Sequence, residues 1–398
     1  MATYPIDISL RNGYPDFLDL PWNLPLEQWP GNCPRLEEVQ RGLSRHPVVF
    51  VNYDGVLYAL KELPADLAEK EYNLLSRMEG MRLPAVTPVG YARTHNTQRQ
   101  AGILITRHLD RSLPYRSLFM RSSLISYRGH LLDAIAGLLV QLHLASVYWG
   151  DCSLSNTLFR RDAGALQAYL VDAETAEIYL EGIPPTLRLY DLEIMEENVN
   201  GDLVDLEIAS PLAVGIPVPE TGAYIRLRYQ LLWEEITHDD IIDPDEHYRI
   251  QERIRALNTL GFSVKEVELK GTQNGDQLRL RVMVADRNFH REQLQGLTGI
   301  DAEEMQARKI MNEIQELKAT LSQVNNRSTP ISVAAYHWLE NFYQPVLEHL
   351  QPLIDRHADS TELYCQVLEH KWYLSEKAQR DVGHQAAAED YLQRFGNL

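Results

Sequence analysis

Val147-Tyr148-Trp149-Gly150-Asp151-Cys152-Ser153-Leu154-Ser155-Asn156-Thr157-Leu158-Phe159 is the most specific stretch of this sequence. Asp151 offers a carboxylate, and Asn156 offers an amide oxygen a short step later. Asp172 adds a second carboxylate at the end of the apolar run Ala168-Tyr169-Leu170-Val171. Upstream, Lys61 closes Tyr58-Ala59-Leu60-Lys61 and Glu71 opens Glu71-Tyr72-Asn73-Leu74-Leu75. Each group alone has a plainer reading, since a strand-ending Lys is usually a surface Lys, a helical Glu is usually solvated and an Asp before a loop is usually a cap. Their order along the chain, each on the expected kind of element, is what carries the signal.

The elements that must position them are legible around them. Pro47–Asn52 and Val56–Leu60 read as strands about the turn Tyr53-Asp54-Gly55, a hairpin that ends on Lys61. Ala65–Met78 reads as a helix, with Asp66 and Glu69 in its early turns and an apolar stripe of Leu67, Leu74, Leu75 and Met78. Ala101–Thr106 reads as a further strand, and His130–Ala145, apolar and free of Pro, as a buried helix leading into the Asp151 loop. Further on, Asp202–Ile216 and Pro217–Glu220 read as loops, and Tyr224–Ile236 and His247–Leu260 as helices. Val264–Lys270 and Gln277–Val284 flank Asn274-Gly275 as a second hairpin. Helices are expected over about 302–322, 330–355, 360–376 and 384–395, with Asp301 and Thr329 as N-caps.

The Asp151-to-Asn156 spacing and the later Asp172 resemble the catalytic loop and metal-binding strand of the protein-kinase-like superfamily. Within it, the chain is similar to bacterial lipopolysaccharide-kinase-like proteins of an uncharacterised family with an extra C-terminal domain, over about residues 36–200. The resemblance implies that Asp151 is the base or orienting group for a substrate hydroxyl, and that Asn156 and Asp172 hold Mg²⁺ (or Mn²⁺) on ATP. It implies that Lys61 binds the α- and β-phosphates and that Glu71 pairs with Lys61. His108 and Leu109 fall where backbone groups would meet adenine. The family pattern is not followed everywhere. Trp149-Gly150 replaces the usual His-Arg, so switching by loop phosphorylation is not expected. Asp172-Ala173-Glu174 replaces Asp-Phe-Gly; Glu174 reads either as a metal or substrate contact or as a structural carboxylate. The glycine-rich loop is reduced to Gly42 in Arg41-Gly42-Leu43-Ser44-Arg45-His46, where Ser44 and Arg45 stand in as phosphate contacts or mark a plain turn.

Composition narrows the alternatives. The chain has 398 residues, 44% hydrophobic and 24% charged, which is ordinary for a globular protein of more than one unit. Its net charge of −18 speaks against general affinity for nucleic acid or anionic lipid. Residues 91–130 hold seven arginines against the single acid Asp110, read first as a solvated surface and second as an anion site. Cys33, Cys152 and Cys365 form no metal or disulfide pattern, and no histidine pair has ligand spacing. No signal peptide or membrane span is seen, so a cytoplasmic protein is expected.

The expected fold is α+β: a bilobal protein-kinase-like fold with a small β-rich N-lobe, a helical C-lobe and an additional mostly helical C-terminal domain. The expected boundaries are an N-terminal arm at 1–35, the N-lobe at 36–108, the C-lobe at 109–255 and the C-terminal domain at 256–398. The expected activity is ATP- and Mg-dependent transfer of the γ-phosphoryl group to a hydroxyl acceptor on a small molecule, sugar or protein side chain. The alternative is a nucleotide-binding pseudokinase that regulates a protein partner through residues 256–398.

Overall fold

The computed structural model describes residues 6–39, 45–96, 99–120, 126–209, 218–237, 240–242, 264–271, 278–284, 289–324, 326–354 and 359–395. The chain divides into two compact units, one of residues 1–160 and 168–233, the other of residues 161–167 and 234–398.

The first unit begins with a six-stranded antiparallel sheet. Its strands are β1 (Ile6–Leu10), β2 (Leu36–Glu37), β3 (Val48–Tyr53), β4 (Val56–Pro64), β5 (Thr87–Asn96) and β6 (Arg99–Arg107), in the order β1-β5-β6-β4-β3-β2. The β3–β4 hairpin turns on Asp54 and Gly55, both at positive φ, 53° and 84°. That is the backbone a tight hairpin demands and the reason an Asp-Gly pair sits there. The N-terminal region is less irregular than its composition suggests, because β1 adds an edge strand against β5. Trp29 is buried and Trp22 packs edge-on against it at 5.6 Å.

Helix α1 (Ala65–Gly80) starts directly at the end of β4, capped only by the Pro64 backbone. It lies very close to β6 at Gly102, where an added Cβ would sit 2.7 Å from the Ala68 side chain and 2.8 Å from the Ala65 Cα. Glycine is needed there so that the helix can rest on the sheet and bring Glu71 over β4.

The helical part follows: α2 (Tyr115–Met120), α3 (Ser126–Leu144), the short strand β7 (Val147–Tyr148), the hairpin β8 (Thr157–Asp162) and β9 (Ala165–Leu170), and the short strand β10 (Glu177–Ile178) paired with β7. Helix α3 buries Leu131, Leu132, Ile135, Leu138, Leu139 and Val140, as its uninterrupted apolar sequence requires. Two long helices, α4 (Pro185–Ala209) and α5 (Val218–Thr237), complete this part. The loop expected from Asp202 is therefore helical as far as Ala209, and α5 already begins at Val218. Leu192, Met195, Val199, Leu203 and Leu206 bury one stripe of α4, a period that its Asn, Gly and Asp residues obscure.

The second unit carries a three-stranded sheet of β11 (Asp240–Ile242), β12 (Val264–Gly271) and β13 (Leu278–Val284), ordered β11-β13-β12. The helix expected over 247–260 and the turn at Asn274-Gly275 lie outside the described residues. Then come α6 (Phe289–Thr298), α7 (Glu304–Val324), α8 (Ile331–Trp338), a π-helical turn over Leu339–Tyr343, α9 (Gln344–Ile354), α10 (Ser360–Ala378) and α11 (His384–Phe395). Asp301 is not an N-cap; it pairs with Arg291 at 2.9 Å, three residues ahead of α7. Pro330, not Thr329, occupies the cap position of α8. The core gathers Trp338, Tyr343 and Tyr364 with aliphatic residues of the surrounding helices. Glu313 is the polar centre of this core, accepting from Trp338 Nε1 at 3.1 Å and Tyr364 OH at 2.8 Å and meeting His384 Nε2 at 2.8 Å.

Among the described residues, no helix is long and apolar enough to cross a membrane. Three of the arginines in the arginine-rich stretch are engaged within the protein. Arg93 bonds Glu69, Arg107 meets Asp110 at 2.8 Å, and Arg128 is buried with Nη2 donating to the Phe119 carbonyl at 2.6 Å.

Candidate active site

Lys61, on β4, is enclosed by carboxylates. Its Nζ lies 3.1 Å from Glu71 Oε2 and 2.6 Å from Asp172 Oδ2. Glu71 is buried, and its Oε1 also accepts the Ala173 N–H at 3.0 Å. Burial works against the Lys61 ammonium, but Glu71 and Asp172 outweigh it and raise the pKa, so Lys61 is held charged. Burial also pushes the Glu71 carboxyl up against the pull of Lys61. The ion pair fixes a side chain that would otherwise lose much rotamer freedom on meeting a ligand.

Asp172 is placed by backbone pairing rather than by its neighbours in sequence. Leu170 bonds both ways with the loop after α1, through Val86 N to Leu170 O and Leu170 N to Pro84 O, each at 2.9 Å. Val171 N donates to the Asn156 carbonyl at 3.1 Å, which fastens the Asp151–Asn156 loop to the strand that ends in Asp172. Asn156 Nδ2 in turn donates to the Asp151 carbonyl and to Asp151 Oδ2, both at 3.0 Å. With its N–H₂ spent in this way, Asn156 keeps its amide oxygen for another partner.

Asp151 is clamped on both oxygens. Asn198 Nδ2 donates to Oδ1 at 3.0 Å, while Asn156 and Arg45 (3.3 Å) take Oδ2. Partial burial raises its pKa above the usual Asp value, with Arg45 pulling it down, nearby Asp172 pushing it up and the two amides opposing the rise. Trp149-Gly150, which stands before Asp151, is held by Asp191 of α4. Trp149 N and Gly150 N each donate to that carboxylate at 2.9 Å. Asp191 is wholly buried and also meets His143 Nε2 at 3.1 Å, so α3, α4 and the loop share one polar joint. Asp202 of α4 accepts from Ser155 N and Ser155 Oγ, each at 3.0 Å. Asp191, Asn198 and Asp202 were not found from sequence. Their spacing places them along one side of a helix, a signal that weakens beyond Asp172 and is cut off where Asp202 reads as the start of a loop.

Two cavities adjoin these groups. One of about 140 Å³ lies under the sheet, among Val48, Phe50, Ala59, Val86, Leu154 and Val171, and reaches Lys61 and Asp172. His108 lines it, with its ring edge-on to Phe50 at 5.2 Å. The His108 N–H donates to the Leu57 carbonyl at 2.9 Å, so that backbone donor is not offered to a base. The other cavity, of about 320 Å³, lies beyond Asp151 along α4 and includes Arg45, His46, Glu174 and Asn156. His46 Nε2 lies 3.2 Å from Glu174. Gly42 and Ser44 lie outside the described residues. Cys152 is fully buried and its thiol pKa is raised by that burial, which suits packing and not nucleophilic duty.

Among the described residues no group of three His, Cys, Asp or Glu side chains forms a metal site by itself. Asn156 and Asp172 nevertheless fit Mg²⁺, which is bound through one or two protein oxygens together with substrate phosphates and waters.

Residues 55–200 match the model of the lipopolysaccharide kinase (Kdo/WaaP) family, and residues 231–395 match that of a domain of unknown function (DUF4032). The solved structure of WaaP in complex with acyl carrier protein is similar at 17% identity over 64% of this chain and 99% of that chain, with a TM-score of 0.36. No curated protein matches the chain. The first match identifies a kinase-like phosphotransferase segment, and the second an additional domain that follows it.

Proposed function

We propose that this lipopolysaccharide-kinase-like chain, with its extra C-terminal domain, transfers the γ-phosphoryl group of ATP to a hydroxyl acceptor in an Mg²⁺-dependent reaction. The carrying observation is the Asp151 carboxylate, clamped by Asn156 and Asn198, at the mouth of the larger cavity and beside the Lys61–Glu71–Asp172 cluster. The smaller apolar cavity suits adenine and Lys61 suits the α- and β-phosphates. Asn156 and Asp172 would hold the metal, which when bound neutralises charge on the phosphates. Asp151 orients the acceptor hydroxyl and receives its proton as the acceptor oxygen bonds to phosphorus and the bond to the ADP oxygen breaks. Arg45, beside Asp151, is near enough to follow the transferring group. The absence of a long apolar helix among the described residues is consistent with a cytoplasmic enzyme.

The test is turnover of labelled ATP with Mg²⁺ or Mn²⁺ by wild type and Asp151→Asn. We expect the variant to lose about 10²–10⁴-fold in turnover while Mg-ATP still raises its melting temperature. Full activity in Asp151→Asn would remove the assigned role. A second reading, a nucleotide-binding regulator of a protein partner, is favoured by exposed Trp372 and Tyr373 on α10. It predicts Mg-ATP stabilisation with no turnover in the wild type.

A further inference from the structure

The hairpin between Asn156 and Asp172 closes on a turn that its own sequence does not favour. Strand β8 begins next to Asn156, and only Val171 lies between the end of β9 and Asp172. Ala163 and Gly164 join the two strands, both at positive φ, 53° and 90°. A two-residue hairpin turn of this kind calls for Asn, Asp or Gly at its first position. The β3–β4 hairpin meets that demand with Asp54-Gly55 at φ 53° and 84°. Ala holds such a backbone only where its surroundings over-determine it.

What holds it belongs to the second unit, which itself takes residues 161–167 from the hairpin. Glu362 Oε2 accepts the Ala163 N–H at 2.7 Å, and Oε1 accepts the Gly164 N–H at 3.2 Å. Lys309 Nζ donates to the Ala163 carbonyl at 3.3 Å, and Gln306 Nε2 to the Arg161 carbonyl at 3.1 Å. Gln306 N donates to Asp162 Oδ1 at 2.9 Å, and Gln306 Nε2 also reaches Glu362 Oε2 at 2.8 Å. Glu362 and Gln306 are both buried. A buried carboxylate is costly to desolvate, and this one spends its oxygens on the two turn amides.

The turn matters to the site because register in a hairpin is fixed by its turn and by the alternation of its side chains. Strand β9 is buried at nearly every position, so alternation specifies little there. A slip at the turn would shift β8, and with it Asn156, against the strand that leads to Asp172. We propose that Glu362, seconded by Gln306, is a positioning residue of the phosphotransfer site. Acting through the Ala163-Gly164 turn, it fixes Asn156 against Asp172, and the C-terminal domain thereby becomes part of the metal-binding machinery. This rests on the reading that Asn156 and Asp172 hold Mg²⁺ on a nucleotide.

The test uses the full chain and calorimetric titration of a non-hydrolysable ATP analogue, once with Mg²⁺ and once with EDTA. Glu362→Ala should weaken binding of the Mg²⁺ complex about tenfold, as loss of a supporting partner behind a metal ligand does. Binding of the metal-free analogue, which depends on Lys61 and the apolar cavity, should stay as in wild type. Ala163→Asn gives the turn the Asn-Gly pair it prefers and should restore Mg²⁺-dependent binding in the Glu362→Ala background. Should Glu362→Ala fail to fold, Glu362→Gln, which keeps an oxygen for one of the two amides, carries the same comparison and the same rescue. An unchanged affinity for the Mg²⁺ complex, an equal loss with and without Mg²⁺, or no rescue by Ala163→Asn overturns the positioning role. Turnover of ATP by the wild type, measured in parallel, separates the two readings. Loss and rescue of Mg²⁺-dependent binding without any turnover overturns phosphotransfer alone. Turnover beside unchanged binding in the Glu362 variants overturns the positioning role alone, and a wild type whose binding ignores Mg²⁺ overturns both.

Discussion

At the scale of single residues, the behaviour of Asp151 is set by side chains distant in sequence. Its pKa is raised by burial and by Asp172, and held back by Arg45, Asn156 and Asn198. A hydrogen bond to the ionised form lowers a pKa, so removing Asn198 must raise it further. A base works only when ionised, and the acid limb of the pH–rate profile for kcat/KM should therefore move to higher pH in Asn198→Ala. The rate on the plateau should fall about tenfold, the worth of one hydrogen bond of about 1.5 kcal/mol to a charged group. An unshifted acid limb would mean that Asn198 does not position Asp151. The Asp151, Asn156 and Asp172 series was legible because the residues lie close together along the chain. Asn198 was not, because it reaches Asp151 across 47 positions.

Whole elements decide whether those residues meet. Gly102 lets α1 rest on β6, and α1 carries Glu71 to Lys61. Gly102→Ala places a Cβ 2.8 Å from backbone of the helix, so the helix must shift. We expect a loss of about 1–3 kcal/mol in stability and a higher KM for Mg-ATP, read by thermal melting and initial rates. An unchanged melting temperature would show that the helix has room. In the second unit, Glu313 ties Trp338, Tyr364 and His384, and so α7, α8, α10 and α11, into one core. Burial alone would raise its pKa, but its bonds to His384, Trp338 and Tyr364 bring it below the usual Glu value. A carboxyl depressed on folding contributes stability above its unfolded pKa of about 4.3, and that contribution is lost as pH falls through the folded value. Glu313→Gln should accordingly be destabilised near neutral pH and approach wild type in acid, as measured by denaturant titration across pH. A difference that is constant with pH would contradict this linkage.

For the molecule as a whole, the notable fact is that the second unit is discontinuous. It takes residues 161–167 from the hairpin that separates Asn156 from Asp172. The buried Glu362 accepts from Ala163 N at 2.7 Å, Gly164 N at 3.2 Å and Gln306 Nε2 at 2.8 Å, and Gln306 N donates to Asp162 at 2.9 Å. A fragment of residues 234–398 would leave Glu362 without the two backbone donors. Each such loss costs roughly 1–3 kcal/mol and more for a charge. The fragment should melt well below the second unit of the full chain, and Glu362→Leu should recover part of the difference. A fragment as stable as the full chain would show that the hairpin tip is dispensable.

The sequence alone determined the local elements: a hairpin ending on Lys61, a helix carrying Glu71, an apolar helix before Asp151 and the helices of the C-terminal region. These follow from periodicity, turn chemistry and short spacing, which act over a few residues. Only the tertiary structure decided the rest. Asp191 holds Trp149 and Gly150, Asn198 holds Asp151, the His108 N–H is spent on Leu57, and Arg93, Arg107 and Arg128 find partners. Such polar contacts join residues far apart in the chain, and their partners are chosen by which helix face packs where. The motif from Lys61 to Asp172 thus names the groups, and α4, whose apolar stripe was masked by its Asn, Gly and Asp residues, sets their geometry and lines the larger cavity beside Asp151.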